Sequence, residues 1–248
     1  MIALQAIALP LGYGRASRAK EYTDLLNGFR LGGGEGISSR SGHTSPPSML
    51  TLYLVRHAQS VANISDRVGG GQLDVPLTTV GEEQARQLGA YLHEQNVRFD
   101  SVYVSPAQRA KATARLAGFA EQNIEERITE IDRGTWTGQP YKDHYTSEVL
   151  ARLKQDPLYS WTFAPPGGES SLQCEQRALP WLRELESGRG AVLAISHKVT
   201  IGVLLRYVMK ADPRAIFRYP LENTSVSILA FNGEWKVTQI GVKPTYRV

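Results

Sequence analysis

The chain is poor in cysteine, in long apolar runs and in net charge. One cysteine among 248 residues, Cys174, rules out an intramolecular disulfide and speaks against a cysteine-based metal site. No uninterrupted apolar run is long enough to span a bilayer. A net charge of +4 is mild, and no basic stripe with interleaved aromatics accompanies it, which excludes the usual nucleic-acid-binding surface. The glycine run 69–71 lacks the Lys-Ser/Thr pair that a P-loop places after its glycines.

What is present is an ordinary globular composition, 42% hydrophobic and 21% charged, in a chain long enough to bury a large core. The first 48 residues differ from the rest. Residues 2–11 are mostly apolar but follow no basic segment, so they make a poor secretory signal. Residues 31–48 hold five Gly and five Ser, a flexible composition. Residues 1–48 are therefore expected to be a dispensable leader, with Met49 as the working start, and His43 within it is given no role. The expected domain is 49–248, and the expected location is the cytoplasm.

From Met49 onward, strand and helix signals alternate, which predicts an α/β fold. The apolar run 50–55 reads as a buried strand that stops at Arg56-His57. Helical patterning covers 78–96, with Thr79 and Glu82 at capping-box spacing. A strand at 99–104 leads to Ser105-Pro106, read as a helix N-cap and first turn, with Arg109 close behind. A third strand is expected over 124–131, with Glu130 at its end. Residues 140–168 read as a helical excursion. A helix over 170–185 has Ser170 and Gln173 at capping-box spacing. A fully apolar strand, 191–195, ends at Ser196-His197 and leads into an apolar helix, 199–209. Asn232-Gly233 joins two final strands as a hairpin.

Two strands thus end in histidine, and two arginines and one acid fall near the same sheet edge. In open α/β sheets that edge is where ligands bind. Any one of these residues has an ordinary reading: a core histidine, a solvated helix cation, an acid entering a glycine-rich loop. The set together carries the functional argument.

Several separated motifs resemble those of the histidine phosphatase superfamily, in the same order. Residues 55–63, VRHAQSVAN, resemble its Arg-His-Gly-x-Thr-x-x-Asn signature. Asp74, Pro76, Leu77, Thr78, Gly81, Gln84 and Ala85 match D-x-P-L-T-x-x-G-x-x-Q-A. Ser105, Pro106, Arg109, Ala110, Thr113 and Ala114 match S-P-x-x-R-A-x-x-T-A. Glu130 precedes Gly134, Trp136 and Gly138 of a G-x-W-x-G. Residues 165–170, PPGGES, and 194–197, AISH, complete the set. The chain departs from the pattern at Ala58, where Gly is usual, at Lys198, and in a loop over 67–74 that is one glycine longer.

The resemblance, nearest to the bacterial broad-specificity and α-ribazole phosphatase-like branch, implies a three-layer α/β/α sandwich like that of phosphoglycerate mutase. Its central sheet would be mostly parallel, with a terminal hairpin. It implies that His57 is the nucleophile and that Glu130 is the general acid. Arg56, Asn63, Arg109 and His197 would bind the phosphoryl group, with His197 also counted as catalytic. The implied reaction is phosphomonoester hydrolysis through a phosphohistidine, with no cofactor and no metal. The expected partner is a small phosphorylated substrate, with no nucleic acid and no membrane; a homo-oligomer is compatible with the sequence. Two alternatives stand beside it. One is a cofactor-dependent phosphoglycerate mutase, disfavoured because Glu130 and His197 are only 67 positions apart where mutases carry a longer insertion. The other is a non-catalytic phosphate-binding module, disfavoured because every catalytic position is filled.

Overall fold

The computed structural model describes residues 49–72 and 74–244; the leader proposed for 1–48 lies outside them. Six strands form one sheet in the order β3-β2-β4-β1-β5-β6. They are β1 (Leu50–Arg56), β2 (Ser101–Val104), β3 (Asn123–Ile124), β4 (Gly190–Ser196), β5 (Val226–Phe231) and β6 (Trp235–Val242). β1 pairs parallel with β4, which pairs parallel with β2, which pairs parallel with β3. β5 runs antiparallel to β1 and turns back into β6. Gly233 supplies the positive φ, 79°, of that last hairpin. The expected mixed α/β architecture is the observed one.

The period-two alternation of the central strands explains the layers. Leu50, Leu52 and Leu54 of β1 join Val192 and Ala194 of β4 on one face. There they pack on α7 (Ser171–Glu184) and α8 (Lys198–Met209) through Trp181, Leu182, Ile201 and Leu205. Val55, Leu193 and Ile195 take the opposite face. They meet Leu88 and Leu92 of α2 (Thr79–Glu94) and Ala110 and Ala114 of α3 (Gln108–Leu116). Strands buried on both sides read as continuous apolar runs, as 50–55 and 191–195 do.

Local chemistry sets the helix ends. Ser170 and Gln173 close the expected capping box on α7. The cap of α2 falls one residue before the expected one: Thr78 Oγ1 accepts from Gly81 N. Short helices α1 (Val61–Ile64), α4 (Tyr141–His144), α5 (Ser147–Gln155) and α6 (Pro157–Thr162) fill the loops. The last three form the excursion expected over 140–168.

One expected element is missing in most of its length. The third strand spans two residues rather than 124–131. The carboxylate of Glu125 accepts from Arg127 N at 3.0 Å and pairs with Arg127 Nε at 2.8 Å. This side-chain competition folds 126–128 into a 3₁₀ turn. Beyond it, side chains hold the segment in place of a ladder: Ser196 Oγ donates to Ile128 O at 2.7 Å, and Thr200 Oγ1 to Thr129 O at 2.6 Å. Glu130 is thereby fixed beside the end of β4.

Candidate active site

Register brings the two histidines together. Arg56 of β1 lies opposite Ser196 of β4, so the residues just past that pair, His57 and His197, emerge side by side. His57 N donates to Ser196 O at 2.9 Å. Their ring centroids are 5.0 Å apart with planes at 58°. On the other flank of β4, Val104 of β2 lies opposite Ile195, and Ser105 emerges next. Three strand ends thus converge at one sheet margin.

Both rings are buried, 3% and 0% exposed. Burial is the main influence holding both well below the ordinary histidine range. The neighbouring Arg56 and Arg109 push each in the same direction. Both rings are therefore neutral near pH 7. His57 Nδ1 donates to the carbonyl oxygen of Ala58 at 2.7 Å. That bond leaves the lone pair on Nε2.

The two arginines are held by backbone carbonyls. Arg56 Nη1 donates to Leu221 O at 2.8 Å, while its Nε is buried without a partner among the described residues. Burial pulls the Arg56 guanidinium down to about 10, against support from Glu130, so it stays cationic at neutral pH. Arg109, in the first turn of α3, donates from Nη1 to Gln72 O at 2.6 Å. Its Nη2 reaches Gly70 O at 3.0 Å and His197 Nδ1 at 3.2 Å. The longer glycine loop thus wraps the Arg109 guanidinium. Gly70 suits that path because a Cβ there would meet Arg133 Cγ at 2.9 Å and Ile131 O at 3.1 Å.

Glu130 is half-buried. Its Oε1 accepts from Ile131 N at 3.0 Å and its Oε2 from Val199 N at 3.4 Å. The carboxyl group therefore sits at the N-terminus of α8, held by backbone N–H groups. Asn63 Oδ1 takes three donors: Ser60 N at 3.0 Å, Ser60 Oγ at 3.2 Å and Asn223 Nδ2 at 3.1 Å. With its oxygen occupied, Asn63 offers a ligand only its amide N–H groups.

The departures from the family pattern are accommodated. The Ala58 methyl is fully buried, and Ala58 N donates to Thr113 Oγ1 at 3.0 Å, with no positive φ at that residue. Lys198 begins α8 and is half-buried. Burial, then the Arg56 charge, pulls its ammonium down to about 8, against Glu130 and Glu222.

The turn 221–225 is a part of the site that sequence reasoning missed. Leu221 O receives Arg56, Thr224 N donates to Arg56 O at 3.0 Å, and Asn223 Nδ2 donates to His57 O at 2.9 Å. Thr224, a β-branched residue, holds a φ of 60° to make these bonds, a strained conformation concentrated where the chain grips the site. Ser105 is the other omission. It does not cap α3, whose N-cap is Ala107 with no side-chain bond; its Oγ instead lies 2.7 Å from His197 Nε2.

Among the described residues, no three His, Cys, Asp or Glu side chains gather as a metal site requires, and no helix is long and apolar enough to cross a membrane. The sequence model of the histidine phosphatase superfamily (branch 1) matches residues 52–242. The 6-phosphofructo-2-kinase/fructose-2,6-bisphosphatase 4 of Homo sapiens is 31% identical over 170 residues, 67% of this chain and 34% of that protein; the match spans about a third of that relative's length. Phosphoserine phosphatase 1 of Hydrogenobacter thermophilus is 30% identical over 191 residues, 73% of this chain and 86% of that protein. The solved structure of a candidate α-ribazole-5′-P phosphatase from Escherichia coli superposes with a TM-score of 0.68 at 24% identity. It covers 80% of this chain and 99% of that one, a likeness of fold.

Proposed function

The chain belongs to the histidine phosphatase superfamily, and we propose that it is a phosphomonoester hydrolase that acts through a phosphohistidine on a small phosphorylated metabolite in the cytoplasm. The observation that carries this reading is the pairing of two neutral, buried imidazoles, at the ends of adjacent parallel strands, with two buried guanidiniums, Arg56 beside them and Arg109 from the first turn of α3.

A phosphoester dianion repels nucleophiles until its charge is neutralised. Arg56 and Arg109 supply planar donor forks suited to phosphate oxygens. His197 and the Asn63 amide add donors. The lone pair on His57 Nε2 attacks phosphorus, and the ester P–O bond breaks on the opposite side. Glu130 gives its proton to the leaving alkoxide. A water then attacks the phosphohistidine, Glu130 takes back a proton, and inorganic phosphate leaves. Preorganised charge is the largest contribution in such a site, because phosphoryl transfer depends on positioning and electrostatics. The residues carry every step of this sequence without a metal.

The test is a phosphate-release screen over sugar phosphates, phosphoglycerates, nucleotides and phosphoamino acids with EDTA present. Chelator-resistant release from at least one class is expected, without conversion of 3- to 2-phosphoglycerate. Mutase turnover in place of release would favour the transferase reading. Tight phosphate binding without release from any substrate would favour a binding module.

A further inference from the structure

Ser105 has no place in the steps above, yet its hydroxyl is fully buried against the second histidine. The two nitrogens of His197 have different neighbours. Nδ1 faces Arg109 Nη2 at 3.2 Å, and Nε2 faces Ser105 Oγ at 2.7 Å. A guanidinium only donates, so in the empty site Nδ1 accepts and the ring proton resides on Nε2, donating to Ser105 Oγ. Ser105 is suited to receive it, since a backbone N–H, that of Ala107, approaches the same oxygen at 3.4 Å. A bound phosphate needs the opposite arrangement at Nδ1, which must then donate.

We propose that Ser105 is a positioning residue that confines the His197 proton to Nε2, so that Nδ1 is vacant and receives a second proton when the phosphoryl group enters. The inference rests on the phosphate-site reading above. An entering phosphoester monoanion brings the proton: the O–H bond of its P–O–H group breaks, the Nδ1–H bond forms, and the substrate is left as a dianion. An entering dianion instead draws one proton from solvent. Nε2–H stays on Ser105 throughout, and Arg109 Nη2, released from Nδ1, turns to a phosphate oxygen.

The surroundings explain why the second proton waits for the ligand. Burial first, then His57 and Arg56 at the end of β1, Arg109 on α3 and Arg177 on α7, all oppose positive charge on His197. Only an incoming anion reverses that balance. Ser105 matters because, without its acceptor oxygen, the Arg109 contact at Nδ1 is left as the main influence keeping the proton on Nε2, and that contact is given up when phosphate enters. A ring with its proton already on Nδ1 would hold phosphate as a neutral donor and take up nothing.

The experiment is ¹⁵N NMR of the imidazoles in the full chain labelled at histidine, free and with inorganic phosphate, at a pH above the ordinary histidine range. His197 is expected neutral and protonated at Nε2 when free, and protonated at both nitrogens with phosphate. Ser105→Ala should mix the two neutral forms in the free protein and weaken inorganic phosphate about tenfold. Ser105→Thr, which keeps the hydroxyl, should restore both properties. If phosphate moves the His57 resonances while His197 stays singly protonated, this inference fails and the phosphate site stands. If phosphate moves neither ring, the phosphate-site reading itself fails.

Discussion

His57 donates its Nδ1 proton to the carbonyl of its own neighbour, Ala58, over 2.7 Å. The bond locks the ring in one tautomer and points the free lone pair away from the backbone. Burial and two nearby arginines keep that ring neutral well below the ordinary histidine range. As the proposed nucleophile, His57 is therefore ready long before pH 7 is reached from the acid side. Once corrected for ionisation of the substrate, kcat/KM should show no limb near 6.5. A limb there that tracks His57 would show a ring more exposed to water than this one.

Arg109 holds the loop at Gly70 and Gln72 and is proposed to bind phosphate, and one variant reads both roles. Arg109→Lys keeps a charge but loses the fork that spans Gly70 O, Gln72 O and His197. We expect kcat/KM to fall on the order of 10²–10³, by analogy with the loss of an oxyanion donor. Amide exchange across 69–72 should quicken in the same variant. A large rate loss with unchanged exchange would mean that the loop is held by something other than the guanidinium.

Glu130→Gln should slow alkyl phosphates far more than p-nitrophenyl phosphate, whose leaving group needs little protonation. Equal slowing of both would remove Glu130 from the acid role.

Asn223 donates to His57 O and to Asn63 Oδ1. Asn223→Ala deletes two hydrogen bonds at a half-buried site, a loss of about 1–3 kcal/mol in thermal or urea unfolding. Asn223→Asp should cost more, because it turns a carboxylate oxygen toward two acceptors. If the aspartate variant were the more stable of the two, Asn63 would be oriented by other contacts.

Lys198 tests the linkage between charge and stability. Its ammonium is pulled from 10.5 to about 8 by burial and by Arg56. Between those values the unfolded chain holds a proton that the folded chain has shed. Stability conferred through this residue therefore rises with pH across that window. Lys198→Met lacks the effect, so its stability relative to the parent should decline from pH 7.5 to pH 9.5. A constant difference, read from denaturant midpoints, would contradict the burial of the ammonium.

The fold's centre was legible because β1 and β4 are apolar runs facing core on both sides and each is followed directly by a histidine. What remained hidden was their pairing. The sheet order places β4 between β1 and β2, and only that order makes His57, His197 and Ser105 neighbours. Ser105 read locally as a helix cap because Ser-Pro before an apolar helix carries that signal; a long-range bond to His197 outcompeted it. Glu130 was found in spite of a wrong element, since the strand expected there gives way to a 3₁₀ turn made by Glu125 and Arg127. Asn223 left no signal, because a single asparagine in a turn has no period and no spacing to betray it. The carbonyls that hold both arginines belong to the backbone, which side-chain patterns do not report.

The most direct measurement is a rapid-quench experiment with a ³²P-labelled phosphoester on the parent and on His57→Ala. The account predicts acid-labile label on one peptide, the one containing His57, and none on the variant. Label that persists in His57→Ala, or turnover in the parent with no labelled protein at any quench time, would contradict it.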